Sequence, residues 1–160
     1  MLSKEEQVQY SRHLILDEIG VNGQQQLKQA RVLVIGAGGL GCPILQYLAA
    51  AGVGTIGIID NDTVDQTNLQ RQILYTFQDI GLPKVEVATR RLIAINPYIE
   101  IVPYFEKLTK NNALELFQSY DIIVDGSDNF ATRYLVNDAA ILADKPLVFG
   151  SIFKFEGQVS

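Results

Sequence analysis

The chain has 160 residues, of which 48% are apolar and 19% are charged, and its net charge is −5 at pH 7. This length suits about one domain with a true core, and the acidic balance argues against nucleic acid or a membrane surface as partners. No apolar run is long enough to span a bilayer, the polar amino terminus shows no signal peptide, and a single cysteine excludes an internal disulfide. We therefore expect a cytoplasmic protein without a metal site built from cysteine and histidine.

The amino terminus predicts a helical extension over residues 1–29. Ser3 and Glu6 have the spacing of a capping box, in which each side chain accepts a hydrogen bond from the other residue's backbone N–H. Gly20 and the pair at 22–23 are expected to end this helix. Its apolar stripe contains Val8, Ile15 and Ile19. Such an amphipathic piece must pack on its own sheet or on a partner subunit.

The next stretch joins a strand to a helix through closely spaced glycines. Four apolar residues at 32–35 predict a strand buried on both faces, and an apolar helical run follows at 44–51. The glycines of the turn between them are Gly36, Gly38, Gly39 and Gly41, in the pattern Gly-x-Gly-x-x-Gly. Glycine lets the backbone turn sharply and approach a ligand, and a helix amino terminus attracts anions. The turn predicts a phosphate site, and by itself it is equally open to NAD.

The rest of the chain alternates between strand and helix patterns. Further strands are predicted at 55–59, about 99–105, 122–124 and 146–149, and helices at about 84–95, 113–117 and 130–142. Pro103 suggests an edge position for its strand. The alternation predicts an α/β fold, a Rossmann-like and mostly parallel sheet with helices on both faces. Residues 153–160 resemble one arm of a strand pair with nothing after it, so we expect a nucleotide-binding domain over 1–160 that is incomplete at its carboxyl end.

Polar residues follow the second predicted strand. Asp60 lies 24 positions after Gly36, near the spacing at which an acidic residue binds a ribose hydroxyl, although a strand-ending turn residue is the alternative. The loop from 61 to 79 is long for a connection between a strand and a helix, and such loops are commonly functional. It carries Arg71, which is either an exposed loop residue or a guanidinium that reaches back to phosphate oxygens.

Lys84 is predicted in the first turn of the next helix, after Pro83. A cation there opposes the helix dipole, at a cost of roughly 0.3–1 kcal/mol. A bound phosphate would offset this electrostatic cost, although Glu86 also relieves part of it. Lys84 is therefore a candidate phosphate ligand.

The segment after the fourth predicted strand is acidic. Asp128 or Asn129 can cap the next helix, and Asp128 can also hold a magnesium ion that bridges phosphate oxygens. Arg12 is either a solvated helix residue or a functional one. We expect Cys42 to be a small buried residue and His13 to be structural, because no candidate partner lies near it in the sequence.

The charged residues distinguish between two classes of function. A dinucleotide is held mainly by backbone groups and the helix dipole, whereas Arg71, Lys84 and Asp128 suit a triphosphate whose pyrophosphate must leave. The Walker motif is absent, so a P-loop enzyme is excluded. An NAD- or FAD-dependent oxidoreductase and a non-catalytic nucleotide-binding fragment remain as alternatives.

The motifs in this order resemble a known family. They are residues 36–41, Asp60 with Asp62, residues 68–72, Gly81 with Pro83-Lys84, and residues 125–129 with Arg133. The chain looks like the amino-terminal part of a ubiquitin-activating-type adenylyltransferase, and most closely resembles the bacterial branch that activates sulfur-carrier proteins for molybdopterin and thiamine synthesis. The opening at residues 10–16 is also similar to that branch.

The resemblance implies ATP- and Mg²⁺-dependent adenylation of the carboxyl-terminal glycine of a ubiquitin-like carrier that ends in Gly-Gly, with release of pyrophosphate. The nucleotide-binding residues it implies are Gly36, Gly38, Gly39, Gly41, Asp60, Asp62, Asn68, Arg71, Lys84, Asp128 and Asn129. Among them Asp60 holds the ribose and Asp128 binds the metal. The phosphates are contacted by Asn68, Arg71 and Lys84. In a homodimer, Arg12 reaches the phosphates in the partner subunit. Arg12, Arg71, Lys84 and Asp128 are thus the implied catalytic residues.

Members of this family usually continue with more sheet, a Cys-x-x-Cys zinc site and a loop over the carrier tail. None of these features lies within the 160 residues. We therefore expect the ATP site in this chain but not the zinc site, and the activity of the 160-residue chain alone is open.

Overall fold

The computed structural model describes residues 1–160, with one central sheet. Its strands are β1 (Arg31–Ile35), β2 (Thr55–Ile59), β3 (Glu100–Tyr104), β4 (Ile122–Asp125), β5 (Leu147–Phe153) and β6 (Glu156–Val159). The helices are α1 (Lys4–Gln9), α2 (Ser11–Leu14), α3 (Gly20–Gln29), α4 (Gly41–Ala51), α5 (Lys84–Ile95), α6 (Ala113–Gln118) and α7 (Phe130–Ala143). None of these helices is long and apolar enough to cross a membrane.

The strands lie in the order β3-β2-β1-β4-β5-β6. The first five are parallel to their neighbours, and β6 alone is antiparallel. Ile35, the last residue of β1, lies in register with Ile59 of β2 on one side and Asp125 of β4 on the other. The chain order reverses between β1 and β4, so the segments that follow β1, β2 and β4 meet at a topological switch point, where ligands bind in open α/β sheets.

Apolar side chains cover both faces of the sheet, as the buried strand patterns predict. On one face, Val34 and Ile58 pack with side chains of α4 and α5. On the other face, Leu33 and Ile123 pack with side chains of α6 and α7. The predicted Rossmann-like α/β fold, with helices on both faces, is therefore confirmed.

The amino-terminal segment differs from its prediction. The capping box of Ser3 and Glu6 is present, but the segment forms three short helices rather than one, and residues 22–23 lie inside α3 instead of ending a helix. Val8 and Ile15 are 76% and 69% exposed, so the expected stripe does not face the core. The reason is that polar side chains make many of the contacts with the domain, and a search for apolar periodicity does not detect them.

Those polar contacts are buried hydrogen bonds between the amino-terminal helices and the ends of α4 and α5. The Tyr10 hydroxyl accepts a hydrogen bond from the Asn96 amide at 2.7 Å, and the Gln24 amide donates to the Ala51 carbonyl at 2.8 Å. Tyr10, Gln24 and Asn96 are all buried. The extension is thus fastened to its own domain.

The two edges of the sheet can be compared with two further predictions. β3 is an edge strand, as Pro103 indicates. At the other edge, β5 is longer than expected and turns back through Lys154, which has φ +56°, so that β6 pairs with it. The expectation that the tail has no partner was therefore wrong, because the second arm of the hairpin is the end of β5 itself.

Candidate functional site

The glycine turn after β1 is tight. Gly36 has φ +91°, a conformation that side chains with a Cβ rarely adopt. A Cβ on Gly41 would clash with the carbonyl oxygen of Gly36, whereas a Cβ on Gly39 would touch only the Arg71 side chain at 3.4 Å. Gly36 and Gly41 therefore shape the turn, and Gly39 leaves room above it beside Arg71.

Two side chains hold the turn in place through Ala37. Asp60 Oδ2 accepts a hydrogen bond from the Ala37 N–H at 2.8 Å, and its Oδ1 accepts one from the Asp62 N–H at 2.7 Å. The Tyr75 hydroxyl donates to the Ala37 carbonyl at 2.7 Å. Asp60 therefore acts as a strand-ending turn residue, which is the alternative to a ribose ligand. Each carboxylate oxygen keeps a second lone pair for a ligand hydroxyl, so the ribose role stays a prediction.

Two adjoining cavities open above the turn, with volumes of about 470 Å³ and 500 Å³. They share the residues Gly36, Asp60, Asp62, Ser127 and Asp128. Volumes of this size suit a small-molecule ligand. The predicted residues that line the smaller cavity are Gly36, Gly38, Gly39, Asp60, Asp62, Asn68, Arg71, Lys84 and Asp128.

Three predicted residues lie outside that smaller cavity. Asn129 lines the larger one, and Gly41 is buried beneath the turn. Arg12, on α2, is exposed and lines neither cavity. Within one chain, the structure brings together every predicted nucleotide-binding residue except Gly41, which is buried under the turn. Arg12 is predicted to act on the partner subunit instead.

Lys84 is the first residue of α5, with Pro83 as its N-cap rather than its first helical residue. The Lys84 side chain is 5% exposed, and its Nζ lies 3.0 Å from Asp62 Oδ2. The Lys84 charge therefore has a carboxylate partner, Asp62, even without a bound phosphate, and its role as a phosphate ligand stays a prediction. That carboxylate is 64% exposed, so the pair is open to the cavity on one side.

The long loop after β2 presents Asn68 and Arg71 to the cavity. Arg71 is exposed, and its guanidinium donates only to the neighbouring Gln70 side chain at 3.2 Å. A buried carboxylate at Asp79 fastens the loop to α5, with ion pairs at 3.3 Å to Arg90 and 3.1 Å to Arg91. The Arg71 side chain is thus available to a ligand on a loop that is itself anchored.

Burial acts to raise the pKa of Asp79, but hydrogen bonds outweigh it. The Thr76 hydroxyl and N–H donate to Asp79 Oδ2 at 2.7 and 2.8 Å, and Arg91 adds a further bond, so the pKa lies below its usual range. Asp79 therefore stays ionised at neutral pH and keeps the anchor charged.

The polar residues of the acidic segment after β4 have different roles. Asp125 is buried and accepts a hydrogen bond from the Ser127 N–H at 2.9 Å. Asn129 is the N-cap of α7 and accepts one from the Thr132 N–H at 2.9 Å. Because Asn129 makes the cap, Asp128 is not needed for it and lies exposed on both cavities.

Magnesium is usually bound by one or two carboxylates together with phosphate oxygens and water. No group of three or more Asp, Glu, His and Cys side chains forms a ready-made metal site. Asp128 has the donor chemistry to hold Mg²⁺ against a phosphate that lies in the cavity beside it.

Sequence reasoning gave no role to three residues that also line the smaller cavity. Their unpartnered buried side-chain atoms are Gln72 Oε1, Ser127 Oγ and Arg133 Nε, and no other buried side-chain nitrogen or oxygen lacks a partner. Unsatisfied buried polar atoms are rare and call for an explanation. Arg133 stands in the motif set of the resemblance, but only the three-dimensional structure reveals that its Nε has no partner.

Cys42 and His13 are structural, as predicted. Cys42 is fully buried, and this burial raises the pKa of its thiol. His13 stacks on Tyr10, and its Nδ1 lies 2.8 Å from Gln24 Oε1.

The strand order and the polar cleft at the ends of β1, β2 and β4 define a Rossmann-like α/β domain. Within that class, the chain belongs to the ThiF family, whose family model matches residues 10–160. The predicted resemblance is confirmed.

The chain is 60% identical over 159 residues to the probable adenylyltransferase/sulfurtransferase MoeZ of Mycobacterium tuberculosis, covering 99% of this chain and 41% of MoeZ. It is 56% identical over 158 residues to the sulfur carrier protein adenylyltransferase of Thermus thermophilus, covering 58% of that protein. Among solved structures, E. coli tRNA N6-threonylcarbamoyladenosine dehydratase, TcdA, in complex with ATP, superposes with a TM-score of 0.88 at 26% identity. That match covers 96% of this chain and 65% of TcdA. The chain thus spans about two fifths of MoeZ and about three fifths of the Thermus thermophilus protein.

Proposed function

We propose that the chain carries the ATP site of an enzyme that adenylates the carboxyl-terminal glycine of a ubiquitin-like sulfur carrier and releases pyrophosphate. One observation carries the proposal. Nine residues predicted for this chemistry line a single cavity above the glycine turn. The names of the two relatives, both adenylyltransferases, and the ATP complex of TcdA support it.

In this proposal, the smaller cavity holds the phosphates and the larger one holds the nucleoside. Backbone N–H groups of the turn and the amino terminus of α4 face the phosphates. Asp60 lies on the wall shared by both cavities, so its free lone pairs accept hydrogen bonds from the ribose hydroxyls. Asn129, on the larger cavity, is assigned to the nucleoside side.

The charged residues act on the leaving group. A carboxylate oxygen of the glycine attacks the α-phosphorus, the bond from that phosphorus to the bridging oxygen breaks, and pyrophosphate leaves with the electron pair. Arg71, Lys84 and Asn68 neutralise and orient the charge that develops on the pyrophosphate. Asp128 would hold Mg²⁺, whose positive charge would add to this neutralisation.

The choice of substrate follows sequence similarity. Identity is 60% and 56% to relatives named for adenylyl transfer, and 26% to TcdA, which is named for a modified base of tRNA. We therefore assign a sulfur-carrier protein with a Gly-Gly end, rather than tRNA, as the substrate. We place the reaction in the cytoplasm, in molybdopterin or thiamine synthesis.

A second copy of the chain completes the site. Arg12 is exposed, and the same amino-terminal segment also exposes the apolar side chains of Val8, Ile15, Leu16 and Val21. Exposed apolar patches mark interaction surfaces. We assign this surface to a homodimer in which Arg12 contacts phosphates bound to the partner.

Two alternatives make different predictions for ligand binding. An oxidoreductase domain would bind NADH or FAD more tightly than ATP with Mg²⁺, and calorimetric titration of the chain with each ligand separates them. A non-catalytic fragment would bind ATP and dimerise, as the proposed enzyme does, but without turnover, so an activity assay distinguishes the two.

The activity itself is tested by exchange of labelled pyrophosphate into ATP, measured with the complete protein that contains this chain. The proposal expects exchange only when a carrier ending in Gly-Gly is present. Absence of exchange with every such carrier would overturn it.

A further inference from the structure

Arg133 is held rigidly at the wall of the smaller cavity. Its Nη2 donates to the Ser127 carbonyl at 3.2 Å, and its guanidinium carbon lies 5.5 Å from the ring centre of Phe130 and 5.1 Å from that of Phe149. Arginine stacks favourably on aromatic rings in this way. The guanidinium is therefore preorganised, while its buried Nε–H has no partner.

The Ser127 hydroxyl is the second unpartnered group on this wall. It is buried, and its residue supplies the carbonyl to which Arg133 donates. An arginine N–H and a hydroxyl are both donors. Two donors on residues that contact each other, one of them charged, complement an anionic group with two oxygens, and a carboxylate has this form.

The location of Arg133 separates it from the other cations. Lys84 and Arg71 belong to the segment between β2 and α5, whereas Arg133 contacts Phe149 of β5. In the sheet order, β1 with its glycine turn lies between β2 on one side and β4 and β5 on the other. Arg133 therefore lies on the side of the turn opposite to Arg71 and Lys84.

Displacement at phosphorus places the attacking and leaving oxygens roughly in line, on opposite sides of the phosphorus. If Arg71 and Lys84 hold the leaving pyrophosphate, the incoming carboxylate approaches from the β5 side. We propose that Arg133 and Ser127 form the subsite for the reacting carboxylate of the acyl substrate, and then for the acyl carbonyl of the adenylate. This inference rests on the proposed function. In the subsite, Arg133 orients the carboxylate toward the α-phosphorus.

Two ligands separate this subsite from the phosphate site. ATP with Mg²⁺ fills the phosphate positions only, and glycylglycyl-sulfamoyl adenosine, a stable analogue of the acyl-adenylate, fills the acyl position without a pyrophosphate group. Both are titrated by calorimetry into the 160-residue chain and into Arg133→Lys and Ser127→Ala. Circular dichroism and thermal melting verify that each variant is folded.

We expect Arg133→Lys to bind the acyl-adenylate analogue about tenfold more weakly, since a hydrogen bond to a charged donor is lost. Its affinity for ATP stays within about twofold of the parent chain. Ser127→Ala loses a smaller factor for the same ligand. In contrast, Lys84→Ala loses affinity for ATP and not for the analogue.

Arg31→Lys is the matched control. Arg31 also donates to a backbone carbonyl, that of Ser119 at 2.8 Å, and lies 5.5 Å from the Tyr120 ring, but it is at the opposite end of β1 from the glycine turn. This variant should bind both ligands as the parent chain does. Equal losses of affinity for ATP and the analogue in Arg133→Lys, or no loss for either ligand, would overturn this inference but not the proposed function. Failure of the parent chain to bind ATP would refute the proposed function and this inference with it.

Discussion

Lys84 Nζ and Asp62 Oδ2 lie 3.0 Å apart on the wall of the smaller cavity, with the lysine buried and the carboxylate largely exposed. The backbone strengthens the link, because the Lys84 N–H donates to the Asp62 carbonyl at 3.0 Å. The pair joins the start of the long loop to the start of α5. It also means that the cation proposed to bind phosphate already has a counter-charge.

The first prediction concerns this counter-charge. Asp62→Asn leaves the buried Lys84 ammonium without a carboxylate, so the melting temperature should fall by a few degrees. Saturating ATP supplies a new counter-charge, so the rise in melting temperature that ATP causes should be larger in the variant than in the parent chain. Differential scanning fluorimetry with and without ATP measures both effects.

Asp65→Asn is the control for this experiment, since Asp65 is an exposed carboxylate of the same loop that hydrogen-bonds Thr67. Its ATP-induced shift should match that of the parent chain. An equal shift in Asp62→Asn would show that ATP does not meet Lys84.

The second prediction concerns the hydroxyl that holds the glycine turn. Tyr75→Phe leaves the buried Ala37 carbonyl without its strongest donor, which should lower the free energy of unfolding by about 1–3 kcal/mol. ATP should also bind more weakly, because the turn loses an anchor. Urea unfolding and calorimetry provide the two measurements.

Tyr120→Phe is the matched control for Tyr75→Phe. The Tyr120 hydroxyl is hydrogen-bonded to that of Tyr104 at 3.0 Å, and Tyr120 lines neither cavity. This variant should lose stability and keep its ATP affinity. Unchanged ATP binding in Tyr75→Phe would argue against a link between Tyr75 and the nucleotide site.

The third prediction is a pH dependence. Because the pKa of Asp79 is lowered in the folded state, its contribution is fully present above its ordinary value near 3.8 and is lost as the pH falls through the folded-state pKa. Asp79→Asn should therefore cost about 1–3 kcal/mol of unfolding free energy at neutral pH. That difference should shrink once the pH falls below 3.8.

Urea unfolding of both chains across the acid range tests this prediction. Asp17→Asn, at an exposed position, is the control and should leave the free energy of unfolding at neutral pH nearly unchanged. A cost for Asp79→Asn that stays constant down to the lowest pH would contradict the anchoring role of the ionised carboxylate.

The fourth prediction concerns the site that the proposed homodimer would share between its subunits. Arg71→Ala and Arg12→Ala should each slow pyrophosphate exchange, and loss of Arg71 by ~10³-fold or more. When the two inactive proteins are mixed and allowed to exchange subunits, each heterodimer contains one site with both arginines. About a quarter of the parent activity should return. If no activity returns although heterodimers form, Arg12 does not act on the partner subunit.

The fold and most of the cavity wall follow from local sequence patterns. The strand runs, the glycine turn at 36–41 and the acidic residues after β2 and β4 each have a local signature, and parallel strands bring their carboxyl ends together. Knowledge of the sheet alone therefore suffices to place Asp60 near Asp128.

The contacts that the sequence does not reveal are pairings between distant segments. Lys84 with Asp62, Tyr75 with Ala37, and Arg133 between two rings depend on where loops cross after folding. The amino-terminal helices were predicted wrongly for the same reason, since buried polar residues such as Gln24 fasten them and apolar periodicity does not record such contacts.

The most direct test of the account is mass spectrometry of the carrier itself. The complete protein that contains this chain is incubated with ATP, Mg²⁺ and a ubiquitin-like carrier ending in Gly-Gly, with a carrier lacking its last glycine as the matched control. The account predicts that the intact carrier alone gains the mass of one adenylyl group, and that Arg71→Ala abolishes the gain. If ATP is bound and neither carrier gains that mass, the proposed adenylation is contradicted.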